Sequence, residues 1–140
     1  MRRVLAVDPG SRRLGVALSD ETGTIANPLT VILHVSRPVD AASVAELADA
    51  HGAGLIVVGQ SLDDDGRPTF EGRQAQRFAE ALQAQTGIPV KLWDEAFTTQ
   101  TARAARISLG VNRRRRAGHL DELAATVLLQ DYLDSLRSGG

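Results

Sequence analysis

The sequence has no cysteine, one methionine, one tryptophan and a single lysine, Lys91. Without thiols there are no disulfides and no thiolate metal sites, which fits a reducing compartment. Long hydrophobic runs are missing too. The apolar run Val4 to Val7, which follows Arg2 and Arg3, stops at Asp8. It is too short for a signal-peptide core, and no stretch approaches the ~20 apolar residues of a membrane span. The expected location is the cytoplasm, with no membrane partner. Neither sign of charge dominates: 16 basic and 17 acidic residues leave a net charge of −1, so total charge does not announce a nucleic-acid binder. No repeat, low-complexity tract or linker interrupts the chain. Its 140 residues, 43% of them hydrophobic, suit one domain over 1–140 with a core of its own.

What is present is unevenly placed. Arginine makes up all the basic residues except Lys91, clustering at Arg2-Arg3, at Arg12 and Arg13, and at Arg113, Arg114, Arg115 and Arg116. A planar guanidinium suits phosphate, and folding can gather such clusters on one face. Hydrophobic periodicity divides the rest. Arg3 to Asp8, Leu14 to Ser19 and Thr24 to Leu33 read as three strands of an antiparallel meander, with Pro28 marking a bulge or an edge. Val39 to His51 reads as a helix capped by Asp40, and Leu55 to Gly59 as a strand covered on both faces. After a polar loop, Glu71 to Thr86 is an amphipathic helix, Pro89 to Asp94 a strand, Thr98 to Leu109 a helix and His119 to Leu136 the last helix. The order β-β-β-α-β-α-β-α-α implies an α/β fold. Its five-stranded mixed sheet joins the meander to parallel strands and is flanked by helices. Ligands in such sheets sit at the carboxyl ends of the parallel strands.

Acids stand at those ends. Asp8 closes the first strand before Pro9-Gly10-Ser11, Asp94 and Glu95 close the last, and Asp121 lies near the start of the final helix. Singly, each has an ordinary reading as a turn or helix-start acid. Together they suit phosphodiester hydrolysis, in which two Mg²⁺ or Mn²⁺ ions roughly 3.5–4 Å apart activate water and neutralise charge. Hard cations want oxygen ligands, and massed carboxylates without cations repel.

The run Val7-Asp8-Pro9-Gly10-Ser11-Arg12-Arg13-Leu14-Gly15-Val16-Ala17 resembles the opening of the YqgF/RuvX family. Ile56-Val57-Val58-Gly59, Asp65-Gly66, Asp94-Glu95 with Thr98-Thr99, and Asp121-Glu122-Leu123-Ala124-Ala125 follow in the family's order. Members are described as Holliday-junction-resolvase-like proteins or pre-16S rRNA nucleases of the RNase H-like superfamily. The resemblance implies Asp8, Glu95 and Asp121 as catalytic, metal-holding acids, with Asp94 as a further ligand and Arg12 as a phosphate contact. It also implies an RNase H-like fold and a nucleic-acid substrate, either precursor rRNA or branched DNA. A junction enzyme cutting symmetrically would act as a homodimer. Two other readings are an ATP-binding protein of the sugar-kinase/actin type, which needs two such domains where 140 residues supply one, and a binding module without catalysis, against which an acidic pocket argues.

This chain departs from the family pattern in three places. Gln60-Ser61 follow Gly59 where Leu-Pro is frequent, Ala96 stands in place of an arginine, and His119 in place of a lysine. Arg113 to Arg116 are the residues available to compensate. His119 itself is two residues from Asp121, close enough in sequence for proton transfer. His34 and His51 read as incidental, and Trp93 as core.

Overall fold

The structure, a computed structural model, describes residues 2–95 and 117–138, with the side chains of 117–122 and 138 outside that description. Five strands, β1 (Arg3–Pro9), β2 (Arg13–Ser19), β3 (Ala26–Leu33), β4 (Ala53–Gln60) and β5 (Val90–Asp94), form one sheet in the order β3-β2-β1-β4-β5. The β1–β2 and β2–β3 pairs are antiparallel; β1–β4 and β4–β5 are parallel. Helices α1 (Arg37–Ala50) and α2 (Phe70–Gln83) supply the crossovers, and α3 (Ala117–Ser138) ends the described chain. The expected mixed sheet is present. The helix expected over 98–109 and the arginine run 113–116 lie outside the described residues.

Strand alternation builds a core on each face. Leu5 and Val7 of β1, with Ile56 and Val58 of β4, pack against Val44 and Ala48 of α1 and Phe78 and Leu82 of α2. Val4, Ala6, Ala17 and Val57 pack instead against Leu128, Leu129, Tyr132 and Leu133 of α3. Both faces of β1 and β4 are covered, so their sequences are continuous apolar runs rather than alternating ones.

Local chemistry sets the ends of the elements. Helix α1 begins two residues earlier than its hydrophobic period suggested. Ser36 is the cap, accepting from the Val39 amide at 3.3 Å, and proline sits in the first turn, where no amide partner is needed. Asp40, read from sequence as that cap, is buried instead. Thr69 caps α2, its Oγ1 accepting from the Gly72 amide at 3.1 Å. Pro28 lies on the edge strand, beside a shift in the β2–β3 register where Val16 pairs with Thr30 and Ala17 with Pro28. Gln130 of α3 clamps that edge, its Oε1 accepting from the Ala26 amide at 2.9 Å and its Nε2 donating to the Thr24 carbonyl at 3.0 Å.

Asp20 closes the β2–β3 turn. Its carboxylate accepts from the Thr22 hydroxyl at 2.6 Å and from the Thr24 and Ile25 amides at 2.8 and 3.1 Å. Those bonds, the Thr22 hydroxyl first, hold its pKa at about 2 instead of 3.8. Among the described residues, no helix is long and apolar enough to cross a membrane.

Candidate active site

The carboxyl ends of β1, β4 and β5 lie side by side, and alternation decides which of their residues share a face. Ala6 of β1 and Trp93 of β5 face α3, so Asp8 and Glu95, two residues further along, face α3 as well. The two side chains meet in a hydrogen bond. Asp94 falls in register with Leu92, on the face carrying α1 and α2. The structure therefore groups Asp8 with Glu95 and leaves Asp94 acting on Glu95 as a neighbouring negative charge.

Glycines make the room. Asp8 pairs across β2 with Gly15, and on its other side the β1–β4 register reaches Gly59 one step past Val7–Val58. Neither neighbour has a side chain to fill the space. A Cβ on Gly59 would stand 2.8 Å from Glu95 Oε2 and 2.9 Å from Leu128 Cδ2. Glu95 thus crosses the sheet over Gly59 to reach Asp8. Its backbone is held in place by the amide donating to the Gln60 carbonyl at 2.9 Å. Gly10 makes the bend that follows Asp8, since a Cβ there would collide with the Arg13 carbonyl oxygen.

Burial pushes the Glu95 carboxyl above the usual carboxylate range. The hydrogen bond with Asp8 opposes that rise, and the charge of Asp94 adds to it. Neighbouring carboxylates repel, and a cation placed between them relieves that repulsion. The donor set is all oxygen, so these residues fit a hard divalent cation. Among the described residues, no group of three metal-ligating side chains gathers. The third acid, Asp121, stands on α3 two turns before Leu128, with its side chain outside the described residues. His119 is placed in the same way.

The arginines of the hairpin divide. Arg12 and Arg13 are both exposed at the bend, and alternation puts Arg13 on the α3 face with Gly15 and Ala17. The residues that depart from the family pattern after β4 tie down the loop into α2. Gln76 Nε2 donates to Gln60 Oε1 at 3.2 Å, and the Ser61 and Thr69 hydroxyls are hydrogen-bonded to each other. Trp93 is partly buried against the core on the α3 face, edge-on to Tyr132 with centroids 5.1 Å apart, and its Nε1 donates to Asp131 Oδ2 at 3.1 Å. Sequence reading did not find the pairing of His34 with Asp40. His34 Nδ1 lies 2.5 Å from Asp40 Oδ2.

The family model RuvX, described as Holliday junction resolvase, matches residues 2–135. A protein of Syntrophus aciditrophicus (strain SB), provisionally named pre-16S rRNA nuclease, is 40% identical over 134 residues, covering 96% of this chain and 89% of the relative. One from Moorella thermoacetica with the same provisional name is 37% identical over 138 residues, covering 99% of each. Among solved structures, RuvC of T. thermophilus in complex with a Holliday junction substrate superposes with a TM-score of 0.60 at 19% identity, covering 99% of this chain and 97% of that one. Fowlpox virus resolvase with Holliday junction DNA gives a TM-score of 0.59 at 13% identity, covering 97% and 99%. The architecture is thus that of RuvC-like, RNase H-fold resolvases, and the chain belongs to the RuvX family of nucleases.

Proposed function

We propose that this chain, as one domain over residues 1–140, is a divalent-metal-dependent nuclease that matures the 5′ end of precursor 16S rRNA. The observation that carries the reading is the meeting of Asp8 and Glu95 over Gly59 at the carboxyl edge of the sheet. The relatives' shared name favours the rRNA substrate. Asp8 and Glu95, with Asp121 brought by α3, would hold Mg²⁺ or Mn²⁺, two ions in the arrangement proposed. Bound there, such ions supply a water nucleophilic at neutral pH and neutralise charge developing on the phosphate. The chain's own work is to hold the acids in place and to keep one side of the site open. The exposed Arg12 and Arg13, with Arg113, Arg114, Arg115 and Arg116, would anchor flanking phosphates. Asp94 then tunes Glu95 by its charge.

A second reading is cleavage of four-way DNA junctions, favoured by the family's description and by resolvase neighbours of the same fold. That reading calls for a homodimer. The deciding experiment offers both substrates to the wild type and to Asp8→Asn, with Mg²⁺ or Mn²⁺. Cutting of the rRNA fragment alone, lost in the folded variant, is expected. Cutting of the junction alone selects the second reading. No cutting of either by folded, metal-loaded wild type removes both.

A further inference from the structure

On the face away from α3, a cleft of about 550 Å³ opens between the β1–β2 bend and the first turns of α1 and α2. That volume falls within the ~300–1,000 Å³ typical of ligand sites. Its apolar floor includes Leu14 and Phe78, both buried. At its rim stands Phe70, 63% exposed, the first residue of α2. Arg37 of α1 also lines the cleft, its guanidinium steadied by Nη2 donating to Gln74 Oε1 at 2.9 Å.

The third wall is His34. Its Nδ1 is 2.5 Å from Oδ2 of Asp40, a carboxylate 3% exposed whose Oδ1 accepts from the Val35 amide at 3.0 Å. A buried acid that fixes an imidazole through Nδ1 leaves Nε2 to meet a ligand. The acid pair uses none of these groups. A large aromatic is left in water, and a buried carboxylate orients a half-exposed ring.

We propose that this cleft takes one unpaired nucleotide of the substrate strand, adjacent to the phosphate that is cut. The inference rests on the nuclease reading above. The base stacks on Phe70 over the apolar floor, its phosphate meets Arg37, and His34 Nε2, left as the acceptor by Nδ1–H donating to Asp40, accepts from the ribose 2′-hydroxyl. Glu71, also at the rim, cannot serve the phosphate; its carboxylate suits the N–H edge of the base. Continuity with the active site supports a strand nucleotide over a free one. Pro9, Gly10 and Ser11 line the cleft and directly follow Asp8, so at most ~10 Å of chain separates the acid from Ser11. A strand cut at Asp8 and Glu95 crosses the Gly10 bend and enters the cleft within a nucleotide or two. Stacking on an aromatic tolerates any base but requires one freed from its partner.

The test places 2-aminopurine at successive positions around the cleavage point of a precursor-rRNA fragment, with fluorescence read on binding without divalent metal. Cleavage is measured separately with Mg²⁺ or Mn²⁺. One position should change its emission with the wild type, lose the change with Phe70→Ala and recover it with Phe70→Trp. In cleavage, Phe70→Ala should raise KM roughly tenfold with kcat nearly unchanged, and His34→Ala should raise it similarly. Emission indifferent to Phe70→Ala at every position, with cutting intact, overturns the cleft and leaves the nuclease reading standing. Emission lost in Phe70→Ala with no cutting by the wild type keeps the strand-binding cleft and removes the nuclease. Adenosine monophosphate saturating the cleft without displacing the fragment makes it a free-nucleotide site and overturns the proposal.

Discussion

At Gly59 a hydrogen atom occupies the place where any other residue would set a carbon 2.8 Å from Glu95 Oε2 and 2.9 Å from Leu128 Cδ2. Both neighbours are ends of flexible side chains, so Gly59→Ala should fold, at an overpacking cost of about 1–3 kcal/mol. Its larger effect should be on cleavage. A carboxylate displaced by ~1 Å from its working position can lose as much as ~10²-fold in rate. Rates measured beside urea midpoints check this, and unchanged kcat in Gly59→Ala would show that Glu95 does not need the cradle. Asp20 is a second residue whose role is electrostatic. Its folded pKa of about 2 lies below the 3.8 of the free side chain, so its contribution is complete above 3.8 and disappears as pH falls towards about 2. Acid titration of stability should therefore show a loss in that window that is absent from Asp20→Ala. Identical acid limbs would mean that the turn bonds persist in the unfolded chain.

The α2 helix shows how an element is positioned for the site it borders. Thr69 caps it and is hydrogen-bonded to Ser61, at the end of β4 just past Gly59, so one side chain fixes both the helix start and the loop leaving the sheet. Thr69→Ala should cost about 1 kcal/mol in denaturant unfolding. Because α2 also carries Phe70, it should weaken substrate binding more than a change remote from the cleft such as Asp20→Ala at the β2–β3 turn. Equal effects of the two substitutions on KM would detach the cap from the cleft. Helix α3 works differently. It is held by Leu128, Leu129, Tyr132 and Leu133 against the sheet, with Gln130 clamped to the edge strand, and Asp121 belongs to the same helix.

Across the whole molecule, the proposed site draws on β1, on β5 and, for its third acid, on α3 far along the chain, so a cation held there would couple to folding. Mn²⁺ at ~100 times its Kd should stabilise the native state by about 2.7 kcal/mol, raising Tm by roughly 5–10 °C. Asp8→Asn should reduce that rise sharply while keeping the metal-free Tm close to that of the wild type. An equal rise in the variant would place the cation elsewhere. The same architecture puts two groupings on opposite faces of one sheet edge: carboxylates on the α3 side and a cleft with an aromatic rim between α1 and α2, with the Gly10 bend between them.

The sequence determined most of the elements and their order, because each carries a local signature. Val4 to Val7 is an apolar run stopped by proline and glycine, Phe78 and Leu82 share a helical stripe, and Asp8 and Glu95 each end a strand. It also carried the family resemblance. It left open which acids share a face. Period-two alternation puts Asp94 and Glu95 on opposite sides, but only the packing of Leu92 against α2 and Trp93 against α3 decides which side belongs to Asp8. The value of Gly15 and Gly59 came from register, which pairs residues distant in the chain. Asp40 looked like a helix cap because the local pattern permits that role, and it became the partner of His34 once Ser36 took the cap and the turn after β3 closed over it. Local propensity acts within a few residues and can be read along the chain. Facing, register and burial are set by contacts between segments, and only tertiary structure supplies them.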